Sequence, residues 1–337
     1  MKQIDLINSE INRDVDNIKL IKCVGAHNEE DWIEYVLKNN YEEFDKIRIV
    51  EGAVEGRPNS TSDGHSTDST IEIIKSFPDP HNKIELYQIG RHFRSLEEQK
   101  QIFLDVANED EILCIVDADE FYVDGDVDRI RRAAHIRPSA IEFIPTFLHF
   151  YRDFYHIKDF HPEWVLNHQR IIRYVRGMRY HTHPVATLPD GSCSYFSPEI
   201  QIQRYMIPVF IYHYGHAKGE KFHKMKQEFY RKELEKFPAT GGGNAAKAFD
   251  AKFEEYVNGT ESLDTILEFD GPHPRVMENH PLFCVKDPLY QNMGFKNWKT
   301  GSKYYSQHRS MPTIPQWMWS GGFGDVKMKP FYNWLDV

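Results

Sequence analysis

The chain has 337 residues, a formal net charge of −10 from 41 Lys plus Arg against 51 Asp plus Glu, and 14% aromatic residues. That length suits one large α/β domain with additions or two domains, and the aromatic share argues against a disordered chain. The acidic balance argues against a protein that grips nucleic acid by charge over its whole surface. No apolar run reaches the ~18 residues of a membrane span. The opening stretch, Met1 to Asp16, is polar and acidic, unlike a secretory signal. Cys23, Cys114, Cys193 and Cys284 lie far apart, with neither zinc-type spacing nor a disulfide framework. They read as reduced thiols in a cytoplasmic protein.

Ile18 to Ala26 is an apolar run ending in small residues and predicts a strand. Asn28 can cap a helix behind it, Glu29 and Glu30 suit its first turn, and Trp32, Ile33, Val36 and Leu37 form one apolar stripe. Lys46 to Gly52 predicts a second strand. A polar loop then leads to Ser66-Thr67-Asp68-Ser69-Thr70, a capping cluster for a helix carrying Ile71, Ile74 and Phe77. Lys83 to Ile89 predicts a third strand. Ser95 and Glu98 form a capping box before a helix bearing Leu96, Phe103 and Val106. Glu111 to Phe121 predicts a fourth strand, apolar until it meets acids. Apolar strands alternating with helices predict a parallel sheet with right-handed crossovers, and ligands bind such sheets at the carboxyl ends of the strands. His27-Asn28, Glu51-Gly52 and Asp117-Ala118-Asp119 all fall there. The glycine-rich fingerprints of dinucleotide enzymes and P-loop NTPases are missing, which counts against both.

Asp117 and Asp119 would point to opposite faces of a regular strand. Where a strand stops, the backbone can turn and bring both to one ion. Two carboxylates there suit Mg²⁺ or Mn²⁺, with the remaining positions left to water and phosphate oxygens. The plainer alternative is a solvated turn. Taken in order, His27-Asn28-Glu29-Glu30, Glu51-Gly52, the Ser66 to Thr70 cluster, Glu98-Gln99-Lys100-Gln101 and Asp117-Ala118-Asp119-Glu120-Phe121 resemble the GT-A glycosyltransferases of the family 2-like kind. The resemblance spans roughly residues 18 to 125. It implies a nucleotide-sugar donor, a UDP-sugar favoured, with the diphosphate held by a metal on Asp119 and Asp117 near the ribose or metal. His27, Asn28, Glu51 and Lys100 would line the donor. Glu51 stands where such enzymes often carry Asp, and Lys100-Gln101 where many carry Arg-Asn, so the cation is kept without its bidentate fork. A processive polysaccharide synthase is disfavoured, because the Gln-x-x-Arg-Trp motif and membrane helices are missing.

Ten of the 17 histidines lie between His135 and His223, a density that suits an acceptor site of imidazoles and aromatic rings. His213 follows the strand Met206 to Tyr212 and matches the position where relatives complete a metal shell with His. His216 is the second choice. The Lys-rich run after it is mostly a solvated helix face, though Lys218 or Lys221 at its start can meet a diphosphate. Relatives often carry a His-Glu pair near His181-Thr182-His183-Pro184, but Pro184 stands in place of that Glu. A direct, inverting transfer needs a base on the acceptor side, for which Asp153 and Glu163 are the candidates and His183 a third. Residues 238–244 form a Gly-rich break, Ala245 to Tyr256 a short helix, and 271–337 an irregular wrap containing Trp298, Trp317, Trp319 and Trp334.

The expected architecture is therefore α/β: a GT-A, Rossmann-like, mostly parallel sheet flanked by helices, with an irregular C-terminal extension. Residues 1–125 form its nucleotide-sugar half, 126–237 its acceptor half, and 238–337 the extension. The expected activity is metal-dependent transfer of a sugar to the hydroxyl of a glycan or another acceptor, modified nucleic acid included. A turnover-dead carbohydrate-binding relative and a nucleotidyltransferase are the alternatives.

Overall fold

The computed structural model describes residues 17–159, 169–182, 185–192, 203–218, 263–291, 293–301 and 333–334, with the isolated positions 224 and 254. Its centre is β1 (Leu20–Ala26), which pairs in parallel with β2 (Lys46–Glu51) on one side and β4 (Ile112–Asp117) on the other. β3 (Ile84–Tyr87) extends the sheet beyond β2, also in parallel. Leu20, Val24 and Ala26 enter one apolar cluster, and Ile21 and Cys23 the other. Ile112, Cys114 and Val116 are divided from Leu113 and Ile115 in the same way. Burial on both faces is what continuous apolar strands need, and it leaves only the strand ends for polar work.

Among the described residues, the first half of the sheet is flanked by α1 (Ile33–Lys38), α2 (Thr70–Ser76), α3 (Leu96–Asp105) and α4 (Asp126–Ile136), and a short α5 (Trp298–Gly301) follows much later. α1 buries the expected Ile33, Val36 and Leu37. Its last turn is capped from inside by Lys22, whose ammonium donates to the carbonyls of Val36 and Asn39. Burial pulls the pKa of Lys22 down to about 7. Asn28 does not cap α1: it turns with φ 54°, and its side chain instead ties β1 to the following loop. At α2 the cap falls to Asp68, whose Oδ1 accepts the Thr70 amide at 3.0 Å. At α3 the Ser95 hydroxyl accepts the Glu98 amide at 3.3 Å as expected. The Glu98 carboxylate binds Arg91 and Arg94.

The predicted fourth strand is two strands. β4 stops at Asp117, and β5 (Glu120–Tyr122) starts after a turn and runs antiparallel to a later strand. The turn holds Asp119, whose carbonyl accepts the Tyr214 amide at 3.0 Å. Beyond it lie β6 (Glu142–Tyr151), β7 (His156–Lys158) and β8 (Ile171–Arg173). β9 (Arg179–Thr182) and β10 (Val185–Thr187) form a separate antiparallel pair. β11 (Arg204–His216) runs parallel to β6, and β12 (Ile266–Glu268), β13 (Lys296–Asn297) and β14 (Asn333–Trp334) complete the described strands. The main sheet runs β13-β12-β7-β6-β8-β4-β1-β2-β3, and β11 leaves β6 to carry β5 and β14. The α/β class with a mostly parallel central sheet is thus the observed one.

The C-terminal region departs from a purely irregular wrap, since β13 and β14 join the sheet and Trp298 is buried against Phe269. The Gly-rich break, the helix predicted over Ala245 to Tyr256, Trp317 and Trp319 lie outside the described residues, apart from helical Glu254. No helix among the described residues is long and apolar enough to cross a membrane.

Candidate active site

The carboxyl ends of β1, β2 and β4 lie side by side, because Ala26 is in register with Glu51 and Gly25 with Asp117. Glu51, at the end of β2, is fully buried. Its Oε1 accepts the Ser66 amide and hydroxyl, each at 2.8 Å, and its Oε2 meets His65 Nδ1 and Gln88 Nε2 at 2.8 Å. Both oxygens are engaged, and they pull the 60–70 loop over the strand ends. Gly52 follows with φ 144°, a conformation open to glycine, and a Cβ there would press on Phe93 at 3.0 Å. Asn28 donates through Nδ2 to the Asn59 carbonyl at 2.6 Å and accepts the Thr67 amide at 2.8 Å, stitching the same loop to β1. His27 is buried beside them, its Nε2 without a hydrogen-bond partner. Burial, helped by Arg57, lowers its pKa to about 4, so the ring is neutral at physiological pH.

At the end of β4 the acids meet cations. Asp117 has a half-exposed side chain and accepts Arg170 Nη2 at 2.9 Å. The same Nη2 donates to Glu120 Oε1 at 2.6 Å. Arg170 precedes β8, which runs antiparallel to β4 and delivers the guanidinium to the strand end. It is buried over the Phe147 ring, and its Nε and Nη1 make no hydrogen bond. Lys100, from α3, is buried with its ammonium 3.9 Å from Asp117 and no hydrogen-bond partner. Burial lowers its pKa to about 8, with Asp117 pushing the other way. Burial raises Glu120 to about 7 against the pull of Arg170.

Asp119 faces another direction. Its Oδ2 lies 2.7 Å from Lys218 Nζ, which also reaches Glu29 at 3.0 Å and sits over the Trp32 ring. Burial would lower the Lys218 pKa, but Asp119 and Glu29 outweigh it and raise it, so the ammonium is fixed. Lys218 was expected to meet a diphosphate; in the structure it neutralises Asp119.

His213 and His216, expected as metal ligands, do come together. Between His213 and His216 on β11 the register advances three residues against two on β6, a bulge that turns both rings to one side. His149 on β6 joins them, its Nδ1 2.7 Å from His213 Nδ1. His213 Nε2 lies 3.8 Å from Asp119 Oδ1. Gly215 makes this possible, because a Cβ there would collide with His213 Nε2 and lie 3.0 Å from Asp119 Oδ2. Gly215→Ala is expected to destabilise the protein by about 1–3 kcal/mol through overpacking and to displace His213. Urea unfolding and the imidazole resonances in NMR check it.

Of the three expected bases, Asp153 is buried and fully used. Its Oδ1 accepts the Tyr155 amide at 2.9 Å and faces His156 Nδ1 at 2.8 Å, and its Oδ2 accepts the Asp287 amide at 3.0 Å. It holds the turn after β6 to the 287 loop. Glu163 and His183 lie outside the described residues, as does Lys221.

Arg170, Glu120, Glu29 and His149 join the site without having been assigned a role by sequence. His149 carried a usable signal, an imidazole near the carboxyl end of the apolar run Phe143 to Leu148. Arg170 carried none, since only the antiparallel insertion of β8 brings it to Asp117.

No protein-family model matches the chain, and no curated protein matches it. Among solved structures it is similar to the crystal structure of S. aureus TarS 1-349, at 12% identity and a TM-score of 0.32. The match covers 64% of this chain and 65% of that one. So distant a likeness places no residue.

Proposed function

We propose that the chain is a glycosyltransferase of GT-A type that takes a nucleotide-sugar donor at the carboxyl ends of β1, β2 and β4. The observation that supports this best is the pair of buried cations there. Lys100 and Arg170 hold three nitrogens without hydrogen-bond partners around the half-exposed Asp117. Buried N–H donors left over in this way are costly unless a ligand completes them, and a diphosphate supplies acceptor oxygens of the right charge. Glu51 then acts through its partners, presenting His65 and Gln88 to the nucleoside, while Asn28 fixes the loop that carries them.

A Mg²⁺ ion held between Asp117 and Asp119 does not fit this donor set, because Arg170 and Lys218 already engage those carboxylates. Of the expected ligands, His213 and His216 remain able to hold a divalent ion, with Asp119 behind His213 and paired to Lys218. When bound, such an ion supplies positive charge to a leaving diphosphate. The remaining residues position the donor: Arg170 and Lys100 bind its anionic part, and the neutral His27 lines its floor. Transfer is proposed as a single displacement with inversion, with an acceptor-side base at Glu163 or His183. Asp153 would have to break its bonds to the turn to serve.

The test is turnover. Incubation with UDP-, GDP-, CMP- and dTDP-sugars should release free sugar and nucleoside diphosphate, or nucleoside monophosphate from CMP-sugars. Pyrophosphate release from nucleoside triphosphates, with no sugar-nucleotide hydrolysis, would replace this reading by that of a nucleotidyltransferase.

A further inference from the structure

We infer that His149, His213 and His216 form a site for one transition-metal ion of the zinc class, held by imidazoles and not by the Asp117–Asp119 pair. His149 and His213 are register partners across the parallel β6–β11 pairing, and their Nδ1 atoms face each other at 2.7 Å. At that distance one Nδ1 donates a proton and the other accepts it, and an ion that displaces that shared proton meets two nitrogen lone pairs aimed at one small volume. The β11 bulge adds His216, with ring centroids 5.3 Å from His213 and 6.1 Å from His149. One ligand nitrogen from each of the three rings lies within 4.8 Å of the others. Two nitrogens on one tetrahedral zinc stand roughly 3.3 Å apart, so small ring rotations complete the site.

The surroundings have the form of a metal centre. Phe147 stacks flat against His149, with centroids 5.4 Å apart and planes at 12°, which fixes one ligand ring. The far nitrogen of His213 looks toward Asp119, 3.8 Å away. A carboxylate behind a ligating imidazole orients the ring and raises its basicity. Asp119 can take that outer role because Lys218 already balances its charge.

The donor set also selects the ion. Mg²⁺ demands oxygens and keeps its waters, whereas zinc, cobalt, nickel and copper accept imidazole readily. Three protein ligands leave a fourth position open, as in sites where the ion meets water or substrate. The inference does not rest on the transferase reading, since an ion on three imidazoles binds without any donor.

The experiment is a metal titration of the full chain after stripping with EDTA, with a chromophoric chelator as competitor and the visible spectrum of the Co²⁺ form as a second readout. One Zn²⁺ per chain is expected, together with a tetrahedral Co²⁺ spectrum and no displacement by excess Mg²⁺. His149→Ala should weaken Zn²⁺ binding about 100-fold, and so should His216→Ala at the half-buried third position, each with the far-UV circular dichroism of the wild type. Asp117→Asn should stay within about threefold of wild type. Absence of stoichiometric Zn²⁺ uptake by the wild-type chain overturns the inference whatever the variants do. Displacement by Mg²⁺ overturns it too, as does loss of binding in Asp117→Asn with both histidine variants unaffected. The titration contains no sugar nucleotide, so a failed turnover assay does not bear on it.

Discussion

Lys100→Met is expected to weaken sugar-nucleotide binding about 10- to 100-fold while leaving the protein as stable as wild type or more so. The ammonium is buried, 3.9 Å from Asp117, and makes no hydrogen bond within the protein. A charged donor completed only by ligand contributes about 1.5–3 kcal/mol to binding, which gives the stated range. Met fills a similar volume without a buried ammonium that lacks hydrogen bonds, so the fold loses only the long ion pair with the half-exposed Asp117. The pH dependence follows from the lowered pKa of about 8, against 10.5 for an ordinary lysine. Between those values the unfolded chain holds a proton that the folded chain does not, so stability contributed at this residue rises with pH across the window. Donor affinity runs the other way and falls as the ammonium is lost above about 8. Isothermal titration at several pH values, paired with thermal melts, reads both. A variant that lost binding and stability together would make Lys100 a structural residue.

Arg48→Ala is expected to destabilise the fold by about 3–5 kcal/mol, the cost of leaving a buried carboxylate without its cation. Arg48 is fully buried in β2. Its Nη1 donates to Glu111 at 2.7 Å, its Nη2 to the other Glu111 oxygen at 3.2 Å and its Nε to Glu85 at 3.0 Å. Burial alone would raise the Glu111 pKa; the Arg48 fork overrides it and holds the group below its usual range. That contribution is present above the ordinary carboxylate pKa of 4.5 and is lost as the pH falls through the lowered folded value. The double change Arg48→Met with Glu111→Leu should recover most of the loss, because an apolar pair of similar volume removes both buried charges. Urea unfolding of the wild type and the two variants measures it. A loss below about 1 kcal/mol in Arg48→Ala would mean that water reaches Glu111.

The first four strands, their helices and the polar strand ends were legible because each is a local signal: an apolar run, a capping cluster, an acid where a strand stops. The roles of the acids were less so. Asp119 looks like a metal ligand from its neighbours in sequence, but its partner is Lys218, brought close by the pairing of β5 with β11. Glu51 looks like a nucleoside contact, and its bonds go to Ser66, His65 and Gln88 across a loop whose folding no short motif encodes. Long-range pairing of β8 with β4 and of β11 with β6 decides which cation and which imidazole reach the site. Asn28 shows the reverse case. A good capping residue takes a left-handed turn because its amide has better partners in the 59–67 loop than at α1.

The proposed activity requires that the carboxyl ends of β1, β2 and β4 bind a sugar nucleotide. Its most direct measurement is a thermal-shift screen of the purified chain against UDP-, GDP-, CMP- and dTDP-sugars, because a ligand that binds only the folded state raises the melting temperature by mass action. A concentration-dependent rise with one nucleotide class, shifted to about 10- to 100-fold higher ligand concentration in Lys100→Met, is the predicted result. No rise with any sugar nucleotide, or a rise that persists unshifted in both Lys100→Met and Arg170→Met, would contradict it.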